Sequence, residues 1–307
     1  MVGRFAPSPS GRMHLGNVFS ALMAWLSVRA QGGTMLLRIE DLDPDRCKAA
    51  YAQQLKEDLL WLGLDWDVET QWQSQRSAVY AEAFEKLSRR GLVYPCYCTR
   101  NELHDASAPH ASDGTVLYSG RCRYLTAQQR ASQCRKPAWR ICVPKETVCF
   151  TDGLQGSCCQ NLASECGDFI IRRSDGVYAY QLAVVVDDAQ MGVTEVVRGN
   201  DLCSSTPRQL YLYRLLGYTP PKFYHIPLLT AADGRRLSKR DGDLDMGALR
   251  QAYRPQELIG LLAKAAGLLP EYRPIAAHEL AAQFDWSRVN RGPTISVCDL
   301  LRPKICR

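Results

Sequence analysis

The sequence predicts an α/β fold whose core is a parallel sheet. Short apolar runs alternate with amphipathic segments of helical period over residues 2–90, and an apolar strand followed by a helix returns at residues 193–217. Parallel strands need crossover connections of this kind. With 307 residues, the chain is long enough for one large domain or two ordinary domains with a substantial core.

The N-terminal segment predicts a strand, a tight turn and the start of a helix. Val2 to Ala6 form the strand, and the letters P-S-P-S-G that follow impose a turn. Apolar residues then recur at helical spacing until a Gly-Gly pair ends the run. His14 and Gly16 lie at the helix start, where free backbone N–H groups and the positive helix end favour a phosphate. A helix cap is the alternative role for His14.

The second strand carries a residue suited to binding an ammonium group. Thr34 to Glu40 are predicted to form a strand that ends in R-I-E-D-L-D. Carboxylates at the carboxyl end of a parallel strand lie over the crevice where open α/β sheets bind ligands, so Glu40 is the candidate. Two amphipathic helices, about Ala49–Leu62 and Arg76–Arg90, complete the first half of a Rossmann-like domain.

A cysteine-containing segment follows and offers a possible zinc site. Three thiolates and one further donor would complete a tetrahedral site, and the candidates are Cys96, Cys98 and Cys122 with His104, His110 or Tyr118. The thirteen cysteines are an odd number in a chain without a secretory signal, which predicts reduced thiols rather than a disulfide framework. Others, such as Cys142, Cys149 and Cys203, are predicted to be small core residues.

The second half of the chain predicts an inserted domain, a return to the sheet and a helical end. W-R-I-C-V, D-F-I-I-R-R and G-V-Y-A-Y, within residues 138–180, predict antiparallel strands. Leu182 to Asp188 and Val193 to Val197 are predicted to be strands of the parallel sheet, and a helix from Thr206 to Gly217 has proline in its first turn. From Met246 onwards, prolines divide the chain into short helical segments.

Two separated motifs resemble the signatures of the class I aminoacyl-tRNA synthetases. H-L-G-N begins at His14 and R-L-S-K-R begins at Arg236, and they resemble the HIGH and KMSKS motifs of that class. R-F-A-P-S-P-S-G, R-I-E-D-L-D, Y-Q-L-A-V-V-V-D-D and G-V-T-E-V-V-R-G-N-D are similar, in this order, to the glutamyl branch. The resemblance implies that a glutamate carboxylate attacks the α-phosphate of ATP, which is bound with Mg²⁺.

The resemblance also implies roles for individual residues. His14 and Lys239 would be the catalytic donors to the phosphates, and ATP would contact His14, Gly16, Asn17, Leu237, Ser238 and Lys239. Glutamate would contact Arg4, Phe5, Ala6, Pro7, Ser8, Glu40, Tyr180 and Arg198, with each arginine gripping a carboxylate in two-pronged fashion. One zinc ion per chain would be held by Cys96, Cys98, Tyr118 and Cys122. Without a ligand role, Arg4 or Arg198 would instead pair with Asp187 or Asp201.

Departures from the ordinary pattern indicate a shortened member of this branch. Leu42 stands where the family usually has Thr, and Leu202 follows Asp201 where the family often has His. Val184 occupies a position at which a polar residue is common. We also expect no C-terminal anticodon-binding domain. Shortened members attach glutamate to the queuosine base in the anticodon of tRNA(Asp), which implies queuosine-containing tRNA(Asp) as the partner.

Three other functions stay open at the level of sequence. The first is a short glutamyl-tRNA synthetase that charges tRNA(Glu), and the second is a non-catalytic zinc-containing RNA-binding protein. The third is an adenylating enzyme that passes glutamate to a protein or a small molecule. Transfer to each tRNA tests the first, absence of pyrophosphate exchange would favour the second, and glutamate activation without transfer to any tRNA would favour the third.

The expected organisation has four parts. Residues 1–95 and 181–243 form the two halves of the catalytic domain, residues 96–180 an inserted zinc-containing, nucleic-acid-binding α+β domain, and residues 244–307 a short helical region. A net charge of +6 permits a polyanionic partner. Because no run is long enough to span a membrane and no N-terminal signal is present, we expect a cytoplasmic protein without a membrane partner, and a monomer.

Overall fold

The computed structural model describes residues 1–99, 102, 117–230 and 245–297, and its centre is a five-stranded parallel sheet. The first half of the fold alternates strands and helices as predicted. Its elements are β1 (Val2–Phe5), α1 (Leu15–Ala30), β2 (Thr34–Leu37), α2 (Ala49–Trp61), β3 (Val68–Glu69) and α3 (Ser77–Arg89). The three predicted helices are confirmed, whereas β2 ends before Glu40, so this carboxylate lies on the segment that follows the strand.

Helix α1 brings the start of the chain close to the sheet. Eleven of its sixteen residues are buried, so the helix is apolar on nearly all sides and packs within the main core. Gly3 in β1 allows the close approach, because a Cβ at this position would collide with the Val28 side chain. This packing fixes the residues between β1 and α1 over the edge of the sheet.

The inserted region, together with the strand that leads into it, forms an antiparallel layer. Its elements are β4 (Val93–Cys96), α4 (Ala127–Ala131), β5 (Ala138–Ile141), β6 (Thr147–Asp152), β7 (Gly156–Asn161) and β8 (Phe169–Arg172). Strands β4, β5 and β8 form one antiparallel sheet, while β6 and β7 form a hairpin. The strands predicted in W-R-I-C-V and D-F-I-I-R-R are confirmed. The strand predicted in G-V-Y-A-Y is wrong, since the described backbone there makes only a single bridge, between Tyr178 and Arg172.

The hairpin contains an exception to the prediction of reduced thiols, whereas nine other cysteines of the described residues are free as predicted. Cys149 and Cys159 lie directly opposite each other on β6 and β7 and form a disulfide. Cys149 is therefore not a free core thiol, as the sequence analysis expected. Residues that oppose each other across an antiparallel pair are close enough for such a bond, and this proximity depends on a register that the cysteine count does not reveal.

The apolar run Leu182–Val186 is helical rather than a sheet strand. It lies in α5 (Tyr180–Gln190), and all five of its residues are buried. A short run that is apolar on every side suits a buried strand and a buried helix equally well, which explains the wrong prediction. As a consequence, Tyr180 begins a helix, and the adjacent Asp187 and Asp188 lie inside the protein near its end.

The remaining elements complete the sheet and the C-terminal region. They are β9 (Glu195–Gly199), α6 (Thr206–Leu216), β10 (Lys222–Ile226), β11 (Leu228–Thr230), α7 (Met246–Ala252), α8 (Pro255–Ala265), α9 (Ala277–Ala281) and β12 (Thr294–Ser296). The parallel sheet has the order β10, β9, β1, β2, β3. Proline in the first turn of α6 and the short helices from Met246 onwards are confirmed. Among the helices of the described ranges, none is both long and apolar enough to cross a membrane.

Candidate active site

A cavity of about 470 Å³ lies at the carboxyl ends of β1 and β9. Open parallel sheets bind ligands at this edge. It brings together all the described residues predicted to contact glutamate or ATP, namely Arg4, Phe5, Ala6, Pro7, Ser8, His14, Gly16, Asn17, Glu40, Tyr180 and Arg198. Leu237, Ser238 and Lys239 lie outside the described residues.

Arg4 is anchored through one nitrogen. Its Nε donates to Asp188 Oδ1 at 3.3 Å, and both side chains are buried. The ion pair predicted as an alternative for Arg4 therefore exists, but with Asp188 rather than Asp187 or Asp201. Within the described ranges, the two terminal nitrogens of Arg4 have no hydrogen-bond acceptor of the protein, so this arginine can still present both of them to a carboxylate.

Arg38 connects Asp188 to Glu40 beneath the cavity. This fully buried side chain donates from Nη1 to Asp188 Oδ1 at 2.6 Å and from Nη2 to Glu40 Oε1 at 3.0 Å. Burial opposes ionisation of Asp188, but Arg38 and Arg4 outweigh it and hold the pKa of this carboxyl below its ordinary value. For Glu40 burial is the larger influence, and its pKa is raised despite the same two arginines.

Arg198 is enclosed by uncharged acceptors at the end of β9. Only 5% of its surface is exposed. Its Nε donates to His225 Nε2 at 3.0 Å and its Nη1 to Gln209 Oε1 at 2.8 Å. Its Nη2 donates to Thr206 Oγ1 at 2.7 Å and to the Leu202 carbonyl oxygen at 3.3 Å. Since a guanidinium carries five N–H donors, these contacts leave one free donor, on Nη1. Arg198 can therefore donate one hydrogen bond to a carboxylate, not the predicted two.

The positive charge of Arg198 lacks a counter-ion in the described part of the chain. None of its four partners is a carboxylate, and the predicted ion pair with Asp187 or Asp201 does not form. Burial accordingly lowers the pKa of Arg198. Buried charges in proteins are normally paired, so this corner of the cavity favours an anionic ligand.

Tyr180 lines the same cavity as Arg4 and Arg198. It is half-buried at the start of α5. Burial raises the pKa of its phenol, so the hydroxyl keeps its proton and can donate a hydrogen bond. The strand that the sequence predicted for this residue is wrong, but its predicted position beside the ligand pocket agrees with the structure.

His14 caps helix α1. Its Nδ1 accepts from the Gly16 N–H at 3.1 Å, and its own N–H donates to Asn17 Oδ1 at 3.2 Å. The Asn17 N–H donates to the His14 carbonyl oxygen at 2.8 Å. The prediction that these backbone N–H groups are free for a phosphate is therefore wrong. Gly16 instead provides room for the ring, since a Cβ there would lie 3.0 Å from His14 Cε1.

The first described residues after the predicted R-L-S-K-R loop lie beside His14. Asp245, the first described residue after this loop, pairs with His14 in an isolated bridge, and the Met246 N–H donates to the Met13 carbonyl oxygen at 2.9 Å. Asp245 also caps α7 by accepting from the Gly247 and Ala248 N–H groups. Backbone contacts therefore join the first described residues after the second predicted motif to the first motif, beside the cavity.

Three cysteines form a cluster in the inserted region. The Sγ atoms of Cys96, Cys98 and Cys122 all lie within 4.8 Å of one another, and the first and last residues are buried. Around a tetrahedral zinc with Zn–S bonds of about 2.3 Å, thiolates lie about 3.8 Å apart, so the spacing fits. Tyr118 Oη lies 3.7 Å from Cys98 Sγ and accepts from the Cys122 N–H at 2.8 Å. His104 and His110 lie outside the described residues.

Similarity to known proteins agrees with this geometry. The family model of the tRNA synthetases class I (E and Q), catalytic domain, matches residues 1–301. The glutamyl-Q tRNA(Asp) synthetase of Nitratidesulfovibrio vulgaris is 46% identical over 97% of this chain and 96% of its own length. That of Symbiobacterium thermophilum is 45% identical over 95% of each. The chain belongs to the glutamyl-Q tRNA(Asp) synthetase family.

Solved structures place this member of the glutamyl-Q tRNA(Asp) synthetase family among larger enzymes. A glutamate tRNA ligase from Elizabethkingia meningosepticum superposes with a TM-score of 0.81 at 26% identity, over 96% of this chain and 66% of that chain. The glutamate-tRNA synthetase from Elizabethkingia anophelis gives a TM-score of 0.82 at 25% identity. The chain thus shares the class I α/β fold and spans about two thirds of these larger ligases.

Sequence reasoning missed the charged contacts that support this cavity. Asp187 accepts from Gln73 Nε2 at 2.8 Å, Arg76 Nε at 2.7 Å and the Tyr80 hydroxyl at 2.9 Å. Asp188 anchors Arg4 and Arg38, as described above. Two consecutive carboxylates directly after a run of five apolar residues were the available signal, because such charges are buried only with partners.

Proposed function

We propose that the chain activates L-glutamate with ATP to give glutamyl-adenylate and transfers the glutamyl group to the queuosine base in the anticodon of tRNA(Asp). The observation that carries this proposal is the buried Arg198 guanidinium without a carboxylate partner, in a cavity that also contains Arg4 and Glu40. Two cations and one anion match the two carboxylates and one ammonium of glutamate. The names of the most similar curated relatives supply the acceptor.

Each group of glutamate has a candidate partner in the cavity. Arg4 presents two terminal nitrogens to one carboxylate, and Arg198 presents its remaining Nη1 donor to the other. Glu40 accepts from the ammonium, and the Tyr180 hydroxyl donates to the bound amino acid. The segment Phe5–Ser8 contributes backbone groups between the two arginines.

Activation then needs positioning rather than a general base. The glutamate carboxylate is already ionised, forms a bond to the α-phosphorus of ATP and displaces pyrophosphate. His14 and Lys239 donate to the charge that develops on the phosphates, and the other predicted ATP contacts are Gly16, Asn17, Leu237 and Ser238. The backbone contacts of Asp245 and Met246 with His14 and Met13 support this assignment, because these two residues follow Lys239 closely in the chain.

In the second step, the glutamyl group is transferred from the adenylate to the tRNA. A nucleophile of the queuosine base attacks the glutamyl carbonyl carbon, and AMP leaves with the bond electrons. The bases in the anticodon loop of a tRNA are unpaired, so one of them can be splayed out and inserted into a cavity of this kind. Attachment to tRNA(Glu) is the second candidate function, because the solved structures with the same fold are glutamate–tRNA ligases.

We also propose the four-part organisation and the zinc site. Residues 1–95 and 181–243 would form the catalytic domain, residues 96–180 the insertion and residues 244–307 the helical region. One zinc ion would be held by Cys96, Cys98, Tyr118 and Cys122. Arg140 Nε lies 3.3 Å from Cys96 Sγ, where it favours the thiolate that zinc requires. When bound, zinc would link β4 to the segment that precedes α4.

Pyrophosphate exchange tests the activation step. Purified protein is incubated with ATP, Mg²⁺, labelled pyrophosphate and one amino acid at a time: glutamate, glutamine or aspartate. We expect exchange with glutamate and at least about 100-fold weaker exchange with glutamine, because the neutral amide leaves the charge of a buried arginine without an anionic partner. Equal exchange with glutamine would contradict the assignment of two carboxylate-binding arginines.

A further inference from the structure

Arg198 contacts a second buried pair, His225 and Asp152. His225 lies on β10 with none of its surface exposed, and Asp152 ends strand β6 of the inserted hairpin with 2% exposed. The two side chains are joined by a 2.6 Å hydrogen bond between His225 Nδ1 and Asp152 Oδ2. On the other edge of the ring, His225 Nε2 lies 3.0 Å from Arg198 Nε and 3.1 Å from Thr206 Oγ1.

The hydrogen bonds determine which ring nitrogen carries the proton. Arginine Nε is always a donor, so His225 Nε2 must accept, and the proton of the neutral ring must lie on Nδ1. That proton is donated to Asp152, whose Oδ1 also accepts from the Leu154 and Gln155 N–H groups at 3.0 and 2.9 Å. The reverse tautomer would place two N–H groups face to face at Arg198.

Ionisation of the groups supports the same arrangement. Burial lowers the pKa of His225, although Asp152 opposes the shift, so the ring stays neutral. Burial opposes ionisation of Asp152 too, but the hydrogen bond from His225 and the backbone donors bring its pKa below its ordinary value. The ring thus donates to a carboxylate from one nitrogen and accepts from an arginine at the other, which is the pattern of a carboxylate that orients a histidine.

We propose that His225 and Asp152 are positioning residues for glutamate: together they fix Nε of Arg198, so that its remaining Nη1 donor is aimed into the cavity. This inference rests on the proposed glutamate-binding role of Arg198. It also means that the inserted hairpin, which supplies Asp152, helps to shape the pocket of the parallel sheet.

Four variants separate positioning from general damage. His225→Phe removes both ring nitrogens, whereas His225→Gln keeps an acceptor near the position of Nε2. Asp152→Asn keeps an oxygen for the backbone donors but presents its NH₂ to His225 Nδ1, which drives the ring proton to Nε2. Tyr224→Phe is the matched control on the same strand, because Tyr224 faces away and stacks on Trp286 with ring centroids 4.4 Å apart.

The measurements are KM and kcat in pyrophosphate exchange, with glutamate and ATP varied in turn. We expect His225→Phe and Asp152→Asn to raise KM for glutamate by about 10- to 100-fold, the usual effect of one hydrogen bond to a charged group, with KM for ATP within about twofold. His225→Gln should recover most of the loss, and Tyr224→Phe should match the wild type. Equal rises in both KM values, or a wild-type KM for glutamate in Asp152→Asn, would overturn the inference.

Nitrogen-15 spectra of the histidine side chains give a readout that does not depend on turnover. The His225 signals are identified by their absence in His225→Gln, and the expected spectrum has the proton on Nδ1 in the wild type and on Nε2 in Asp152→Asn. A proton on Nε2 in the wild type would overturn the inference whatever the enzyme assay gives. Absence of glutamate-dependent exchange in the wild type would instead refute the proposed function and leave the spectra to decide the positioning.

Discussion

Replacing Arg198 with methionine tests the feature on which the glutamate pocket depends. Methionine has a similar length but no charge and no N–H donors, so the second carboxylate of glutamate loses its partner. Four of the five donors of Arg198 already contact protein atoms, and the lost interaction with glutamate is therefore one charge-assisted hydrogen bond. Such a bond contributes about 1.5 to 3 kcal/mol, which corresponds to a rise of about 10- to 150-fold in KM for glutamate.

The assay for Arg198→Met is pyrophosphate exchange with glutamate and ATP varied separately. Because the change removes a contact to glutamate, KM for ATP should stay within about twofold of wild type. Arg198→Lys is the matched control: it keeps the charge but loses the planar fork, so its KM should lie between the two. Thermal unfolding confirms that each variant is folded. A folded Arg198→Met with wild-type KM for glutamate would refute the assignment.

Three further predictions concern His14, Glu40 and the cysteine cluster. His14→Ala should lower pyrophosphate exchange by about 10²- to 10³-fold and, because it removes the α1 cap, reduce the free energy of unfolding by about 1 kcal/mol. His14→Asn should retain the cap and lose only the activity. Equal unfolding temperatures for the two variants would contradict the capping role. Burial raises the pKa of Glu40 above its ordinary value of 4.5, so this carboxyl becomes protonated, and KM for glutamate should rise, as the pH falls toward the raised pKa. Glu40→Gln should abolish this pH dependence. An unchanged rise of KM at low pH in Glu40→Gln would contradict the role of Glu40. Cys122→Ser should lower the zinc content of purified protein below one ion per chain in elemental analysis. Cys134→Ser, which changes an exposed cysteine, should leave the zinc content unchanged. A full zinc content in Cys122→Ser would contradict the proposed ligands.

Local patterns predicted the first part of the fold well. The strand, turn and helix around His14 follow from neighbouring residues, since prolines, glycines and helical spacing act over a few positions. The same holds for α6, which has proline in its first turn and ends at Gly217 in the left-handed conformation. These features need no knowledge of distant parts of the chain.

Features that depend on tertiary packing were predicted less well. The run Leu182–Val186 is surrounded by apolar neighbours, so its period carries no information about helix or strand. The free N–H groups expected at the start of α1 were instead bonded within the helix cap. The bond between Cys149 and Cys159 depends on the register of a hairpin that the sequence analysis did not resolve.

The cavity shows the same division. Arg4, Glu40, Tyr180 and Arg198 are brought together as the resemblance implied, although they are far apart in the chain. Their supports were not foreseeable, because the contact between Arg198 and His225 spans 27 positions and that between His225 and Asp152 spans 73. Pairings at such separations follow from the fold and not from any local pattern.

The most direct test of the proposed function is transfer of labelled glutamate, with ATP and Mg²⁺, to three RNAs in parallel. These are tRNA(Asp) with queuosine, the same tRNA without queuosine, and tRNA(Glu). We expect label on the queuosine-containing tRNA(Asp) alone. Label on tRNA(Glu) alone would contradict the proposed acceptor and indicate a conventional glutamyl-tRNA synthetase, and label on none of the three would contradict transfer to tRNA.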